Sequence, residues 1–264
     1  MRWYGLAYLA GFLLGWLGLR ARAKQPWSRF TREQVDDLVF YTALGVIVGG
    51  RVGYMLVYAW PELMANPLSI FTVWKGGMSF HGGLTGVLIA MWLYSRHLRK
   101  PFFALTDAIA VWVPCGLALG RIGNFVNGEL WGKVTSPDAP WAVIVKGEPR
   151  HASQLYEAFL EGLVLFLILW LYTKKPRPIM ATSGLFLLFY GAFRILLEFV
   201  RVPDEQIGYL AFGWVTMGQV LSVPMVIAGA LLFALAHRHP PAAAEKAPPA
   251  QPPRGEARVS KKAG

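Results

Sequence analysis

Residues Thr182-Ser183-Gly184-Leu185-Phe186-Leu187-Leu188-Phe189-Tyr190-Gly191-Ala192-Phe193-Arg194-Ile195-Leu196-Leu197-Glu198-Phe199-Val200 form an apolar run that carries two opposite charges. The run is close to the ~20 residues that an α-helix needs to cross a bilayer. Tyr190, Arg194, Glu198 and Arg201 follow one another at intervals of four, four and three, which puts them on one helical face. The other faces carry Leu, Phe, Ile and Val. An Arg194–Glu198 ion pair that offsets its own burial is the simplest reading. A second arginine and a tyrosine on the same stripe favour a buried polar site, because ionisable groups at membrane depth face a bundle interior.

Six further runs resemble this one in length, at about 3–19, 38–59, 78–95, 104–120, 152–172 and 212–236. The expected fold is therefore all-α, a polytopic transmembrane helix bundle of about seven spans. Composition agrees: 55% of the 264 residues are hydrophobic and only 16% are charged. An ordinary soluble domain has about 25% charged residues and cannot hide this much apolar surface. A soluble globule, a disordered chain and a coiled coil are excluded. Pro114 should kink the fourth span. The first run reads as a mature span, since Met1-Arg2-Trp3-Tyr4 has no charged region followed by a cleavage site.

The net charge of +11 would suggest nucleic acid in a soluble protein. In a membrane protein it marks cytoplasmic loops instead, so no nucleic-acid partner is expected. Arg20, Arg22, Lys24, Arg29 and Arg32 follow span one; Arg96, Arg99 and Lys100 follow span three; Lys174, Lys175 and Arg177 follow span five. These loops should be cytoplasmic, with the N-terminus outside and the C-terminus inside. Residues 1–238 form the transmembrane domain. Residues 239–264, rich in Pro, Ala and Lys, read as a disordered cytoplasmic tail. The single cysteine, Cys115, lies in an apolar run and reads as a packing residue.

On this topology Arg51, His81, Arg121, Glu157, Glu161, Arg194 and Glu198 fall toward the outer leaflet, and Asp107 alone toward the inner end. The loop Gly120-Arg121-Ile122-Gly123-Asn124-Phe125-Val126-Asn127-Gly128-Glu129-Leu130-Trp131-Gly132 combines a planar guanidinium with amide donors and flexible backbone. That chemistry suits an anionic headgroup, although a Gly/Asn turn with an interfacial Arg and Trp has the same composition. His81, followed by Gly82 and Gly83, is a candidate general base. Gly45/Gly49, Gly82/Gly86 and Gly116/Gly120 are small-residue pairs suited to close helix packing. A transporter, another headgroup transferase and a noncatalytic scaffold remain rival readings.

The string from Gly120 to Gly132 resembles the signature of the bacterial prolipoprotein diacylglyceryl transferases. Trp3-Tyr4-Gly5, Gly49-Gly50-Arg51-Val52-Gly53-Tyr54, Ser79-Phe80-His81-Gly82-Gly83 and His151-Ala152-Ser153-Gln154-Leu155-Tyr156-Glu157 resemble further family segments in order, as do Tyr190 to Arg201, Pro203-Asp204 and Met217-Gly218-Gln219. Ala152 stands where the family usually has proline, and the chain starts without the family's usual outer segment before span one.

The resemblance implies transfer of a diacylglyceryl group from phosphatidylglycerol to the lipobox cysteine thiol of a prolipoprotein signal peptide, with release of glycerol phosphate. It implies a multi-pass enzyme of the bacterial inner membrane, needing no metal and no cofactor. His81 would be the base; Arg121 and Arg194 would hold the phosphate. Asn124, Asn127, Glu129, Gly132, Tyr190, Glu198 and Arg201 would complete the phosphatidylglycerol site. Tyr4, Arg51, Gln154, Tyr156 and Glu157 would support it.

Overall fold

A computed structural model describes residues 3–203 and 207–238. The expected tail, residues 239–264, lies outside the described residues, as does the side chain of Tyr4. The helices are α1 (Trp3–Arg22), α2 (Arg32–Val57), α3 (Trp60–Ala65), α4 (Phe80–Leu98), α5 (Phe102–Ala110) and α6 (Val113–Val126). They continue with α7 (Ser153–Glu157), a π-helical segment (Ala158–Val164), α8 (Leu165–Tyr172), α9 (Ala181–Leu197) and α10 (Met217–Arg238).

By length and composition alone, α2, the continuous run Ser153–Tyr172 and α10 can each cross a membrane. The pair α5–α6, bent by 45°, can serve as a fourth span, and α9 is a shorter apolar helix. Their surfaces support the same conclusion. The most apolar window of α10 has a mean hydropathy of 2.1, yet only 17% of that window is buried. Leu221, Ile227 and Leu231 are more than half exposed. Side chains of this kind are stable on the outside of a bundle only where the solvent is lipid.

Two expected boundaries and the all-α expectation need correction. The fourth run is two helices, broken at Val111-Trp112, because Pro114 lacks the N–H that a continuous helix would require and so occupies the first turn of α6. The last span starts at Met217, after a bridge between Ala211 and Val215. The structure is also not wholly α. Ala142–Val145 (β1) and Glu148–His151 (β2) form an antiparallel hairpin, with Ala142 opposite His151. Lys146 and Gly147 turn it with φ of 51° and 87°, the left-handed pair that matches strand twist.

Two of the expected glycine contacts form between α2 and α4: a Cβ at Gly45 would come within 2.7 Å of the Gly86 carbonyl oxygen. Gly116 instead faces Gly11 of α1, and Gly120 has open space beside it. Leu19, Leu38, Met91 and Leu105 fill one buried cluster where α1, α2, α4 and α5 meet. Val111, Leu165, Leu169 and Leu185 fill a second, beside α8 and α9.

Asp107 holds the two regions together. Its Oδ1 accepts hydrogen bonds from the Ser183 amide (2.7 Å) and hydroxyl (2.6 Å), and its Oδ2 from the Met180 amide (2.9 Å). A carboxylate on α5 thus caps the N-terminus of α9, whose own cap residue, Met180, has no side-chain acceptor.

Candidate functional site

The site grows from the contact of α6 with the π-helical segment. A Cβ at Gly162 would lie 2.5 Å from that of Ala118, so the two backbones meet only because residue 162 is glycine. One turn beyond Ala118, Arg121 therefore faces Glu157. Its Nε lies 2.7 Å from Glu157 Oε2, and the Glu157 side chain is fully buried. Two arginines from the end of α9 reach the same carboxylate. Arg194 donates from Nη1 at 3.2 Å, and Arg201 donates a short hydrogen bond to Oε1.

The stripe read from the sequence is thus real, but its hub is Glu157. Glu198 serves as a second hub: Arg194 Nη2 lies 2.8 Å and Arg201 Nε 3.1 Å from its Oε1. Thr216 donates to Glu198 Oε2 at 2.7 Å. The same Thr216 hydroxyl accepts from the Gln219 amide and so caps α10, while Gln219 Oε1 accepts from the Thr216 amide. Gly218 sits against this carboxylate; a Cβ there would lie 2.6 Å from Glu198 Oε1. Gly218→Ala should therefore lower the thermal unfolding temperature of the purified protein, since overpacking of this kind costs about 1–3 kcal/mol. An unchanged melting curve would show that Glu198 yields freely.

Glu161 completes the cluster. It is fully buried, 3.8 Å from Arg194 Nη1, and neither carboxylate oxygen has a hydrogen-bond partner. It was visible in the sequence as an ionisable residue in a span, four positions after Glu157, but it was absent from the expected site. The structure places it within a π-helical turn, a feature that recurs at functional sites.

Three guanidinium groups and three carboxylates balance each other in number, and a cluster balanced in this way binds nothing by net charge. Arg121 is the exception. Only its Nε takes part in an ion pair, and its two Nη groups make no hydrogen bond among the described residues. Arg121 and Asn124 line one end of a cavity of about 450 Å³ whose walls include Tyr8, Phe12, Val46 and Leu117. The other opening beside the cluster, by Arg201 and Gly218, holds only about 30 Å³. That is room for water and no more. The apolar cavity is the roomier of these two openings, a greasy wall that ends at the Arg121 guanidinium.

The remaining expected residues divide into those beside this end and those that shape the loops around it. Asn124 is buried on the cavity wall. Tyr190 stacks on Phe186 at 5.6 Å, one turn before Arg194. Gln154 is buried and donates to the Glu129 carbonyl; Asn127, the C-cap of α6, and Glu129 are exposed. Gly132 is a packing residue, because a Cβ would lie 2.6 Å from the Val200 carbonyl oxygen. Tyr156 pairs with His151 at 3.4 Å. Arg51 is spent elsewhere: it donates to the carbonyls of Ser69, Ile70 and Gly76 and so shapes the loop between α3 and α4. His81 is exposed in the first turn of α4 and meets the Phe80 ring edge-on. Phe80 itself lines the apolar cavity, but His81 makes no contact with the arginines among the described residues.

A model of the prolipoprotein diacylglyceryl transferase family matches residues 1–235. The chain is 55% identical over 249 residues to the phosphatidylglycerol–prolipoprotein diacylglyceryl transferase of Oleidesulfovibrio alaskensis, covering 93% of this chain and 92% of the relative. It is 57% identical over 241 residues to the protein of that name from Pseudomonas paraeruginosa, covering 90% of each. The Pseudomonas syringae protein of that name is 55% identical over 253 residues, covering 94% of this chain and 93% of its own length.

Proposed function

Because the chain belongs to the prolipoprotein diacylglyceryl transferase family, we propose that it transfers the diacylglyceryl group of phosphatidylglycerol to the lipobox cysteine of prolipoproteins. In this reaction the cysteine sulfur bonds to the glyceryl carbon that carried the phosphate. The carbon–oxygen bond to phosphorus breaks, and its electron pair leaves on glycerol phosphate. The thiol proton passes to a base, and His81, beside the cavity-lining Phe80, is the residue assigned that role.

The observation that carries the reading is Arg121: anchored through Nε to a buried carboxylate, with neither Nη group hydrogen-bonded among the described residues, at the end of an apolar cavity. A phospholipid has the matching shape, acyl chains for the wall and a phosphate for the fork. Glu157 fixes the guanidinium before substrate arrives, so charge developing on the leaving phosphate meets donors that need no reorganisation. Arg194 and Arg201 hold Glu157 in turn, and Tyr190, Asn124 and Gln154 brace the surrounding turns. Asn127, Glu129 and Gly132 form the loop over the headgroup.

We assign seven spans with the N-terminus outside, the C-terminus in the cytoplasm and the arginine cluster toward the outer leaflet of the bacterial inner membrane. The basic loops support this orientation. Reporter fusions should place residues 174–177 on the cytoplasmic side; an external reading there would overturn the topology and the leaflet together.

Purified protein given labelled phosphatidylglycerol and a lipobox peptide should move label to the peptide cysteine. A folded preparation that binds both and transfers nothing would sink the assignment. Cys115→Ser should keep most of this activity, because the reacting thiol belongs to the substrate. Loss of transfer in a folded Cys115→Ser protein would point to an enzyme-bound thioether instead.

A further inference from the structure

At the end of the bundle away from Arg121 lies a second large cavity, of about 580 Å³. Arg22, Arg29, Lys174, Lys175 and Arg177 line it; Gly18, Ala104 and Ala108 add apolar wall of its own, and Leu19 and Trp112 form a partition that also lines the first cavity. Asp107 and Arg121 stand 14 positions apart on the bent α5–α6 span, roughly 20 Å at helical rise, so the two cavities present separate polar ends.

Four of the five cations are held by neutral groups. Arg22 Nη1 donates to Thr173 Oγ1 at 2.6 Å, Arg29 Nη2 to the Arg177 carbonyl at 2.9 Å, and Arg177 Nε to the Tyr172 carbonyl at 2.6 Å. Lys174 Nζ lies 4.3 Å from the centre of the Trp170 ring. Among the described residues no carboxylate forms an ion pair with any of the five. Asp107, the one acid on the wall, is occupied in capping α9. The opposite end of the protein balances its arginines with buried glutamates; this end sets five cations around a space against one lining carboxylate, Asp107, which acts on Arg29.

A loop that is basic only for orientation needs exposed charge and no cavity. Here Arg22, Arg29 and Arg177 are half-buried and fixed, and only Lys174 and Lys175 are fully at the surface. Partial burial lowers the Arg29 pKa from its ordinary value, a desolvation cost that a bound anion would offset.

We propose that this cavity binds one anionic phospholipid, its phosphate among Arg22, Arg29 and Arg177 and an acyl chain along Gly18, Ala104 and Ala108, which line this cavity and not the first, as a site distinct from the transfer centre. Charge complementarity and the polar-to-apolar gradient of the wall argue for an amphiphile, and the position at the helix ends gives a bilayer lipid direct access.

The test uses the full chain in detergent, phosphatidic acid carrying a photoreactive diazirine in one acyl chain, and peptide mapping of the crosslinks. Labels are expected within residues 16–29, 104–108 and 168–177. The double variant Lys174→Glu, Lys175→Glu should cut them at least about thirtyfold, at roughly 1 kcal/mol for each surface cation removed. It should leave labelling beside Arg121, and transfer activity, at the wild-type level. Equal labelling by a phosphatidylcholine of the same chain chemistry would overturn the proposal, as would labelling unaffected by the double variant. Complete displacement by millimolar inorganic phosphate would also overturn it, by showing a site for free phosphate. None of these outcomes bears on the transfer reaction, which is read separately.

Discussion

Glu157→Gln is expected to reduce diacylglyceryl transfer to below about one part in a hundred of the wild-type rate and to destabilise the fold. The carboxylate receives Arg121, Arg194 and Arg201 at once and is fully buried. Glutamine keeps the shape, removes the charge and offers only one acceptor to three cations. Removing one partner from a buried ionic group costs about 3–5 kcal/mol, because the survivors keep their desolvation cost without their counter-charge. Arg121 then loses its anchor, and a donor displaced from a preorganised site costs ~10²–10³ in rate. Glu198→Gln should be milder, since Thr216 still has an oxygen to donate to and Arg194 keeps Glu157. The two variants should be compared by thermal unfolding and by transfer to a lipobox peptide. Near-wild-type transfer by Glu157→Gln would mean that Arg121 is positioned by something other than this ion pair.

Arg121→Ala should cost as much in rate with far less loss of stability. The side chain is partly exposed, lies at the cavity end and contributes one of several pairs to Glu157. Its deletion removes the Nη donors and leaves Arg194 and Arg201 to satisfy the carboxylate. A loss of ~10²–10³ in the transfer rate at saturating lipid is expected, with a melting temperature close to wild type. Arg121→Lys should recover little, because an ammonium group cannot pair with Glu157 and present a second planar face to phosphate. Arg194→Lys should fail for the other reason: Arg194 spans Glu157, Glu161 and Glu198, which no single ammonium can do. Full activity in Arg121→Ala would remove the phosphate fork from the mechanism.

The helices were legible because lipid imposes a length and an apolar composition on every span. Pro114 announced the break in α5–α6, though the periodicity alone runs straight through it. The hairpin went unread: Ala142-Val143-Ile144-Val145 is a short apolar run followed by Lys146-Gly147, a turn signal hidden in a loop judged by its charges. At the site, the helical spacing of Arg194, Glu198 and Arg201 showed a polar face, but a single helix does not show what faces it. Glu157 became the hub only when Gly162 let its segment approach α6. Arg51 shows the opposite limit. Its depth in the span suggested a place beside the other arginines, whereas the carbonyls that bind it belong to a loop whose path the sequence does not fix. His81 is placed beside the cavity but not against the cluster, so its role as base rests on the reaction and not on a contact.

The cap that Asp107 provides has a cost in time during synthesis. The carboxylate leaves the ribosome 76 residues ahead of Ser183, whose amide and hydroxyl it will bind. At ~5–20 residues per second, the gap lasts roughly 4–15 s. Throughout that interval an acidic side chain stands near the start of an apolar span with none of its final donors yet made. The contact that joins α5 to α9 therefore closes only after the whole stretch between them has been made.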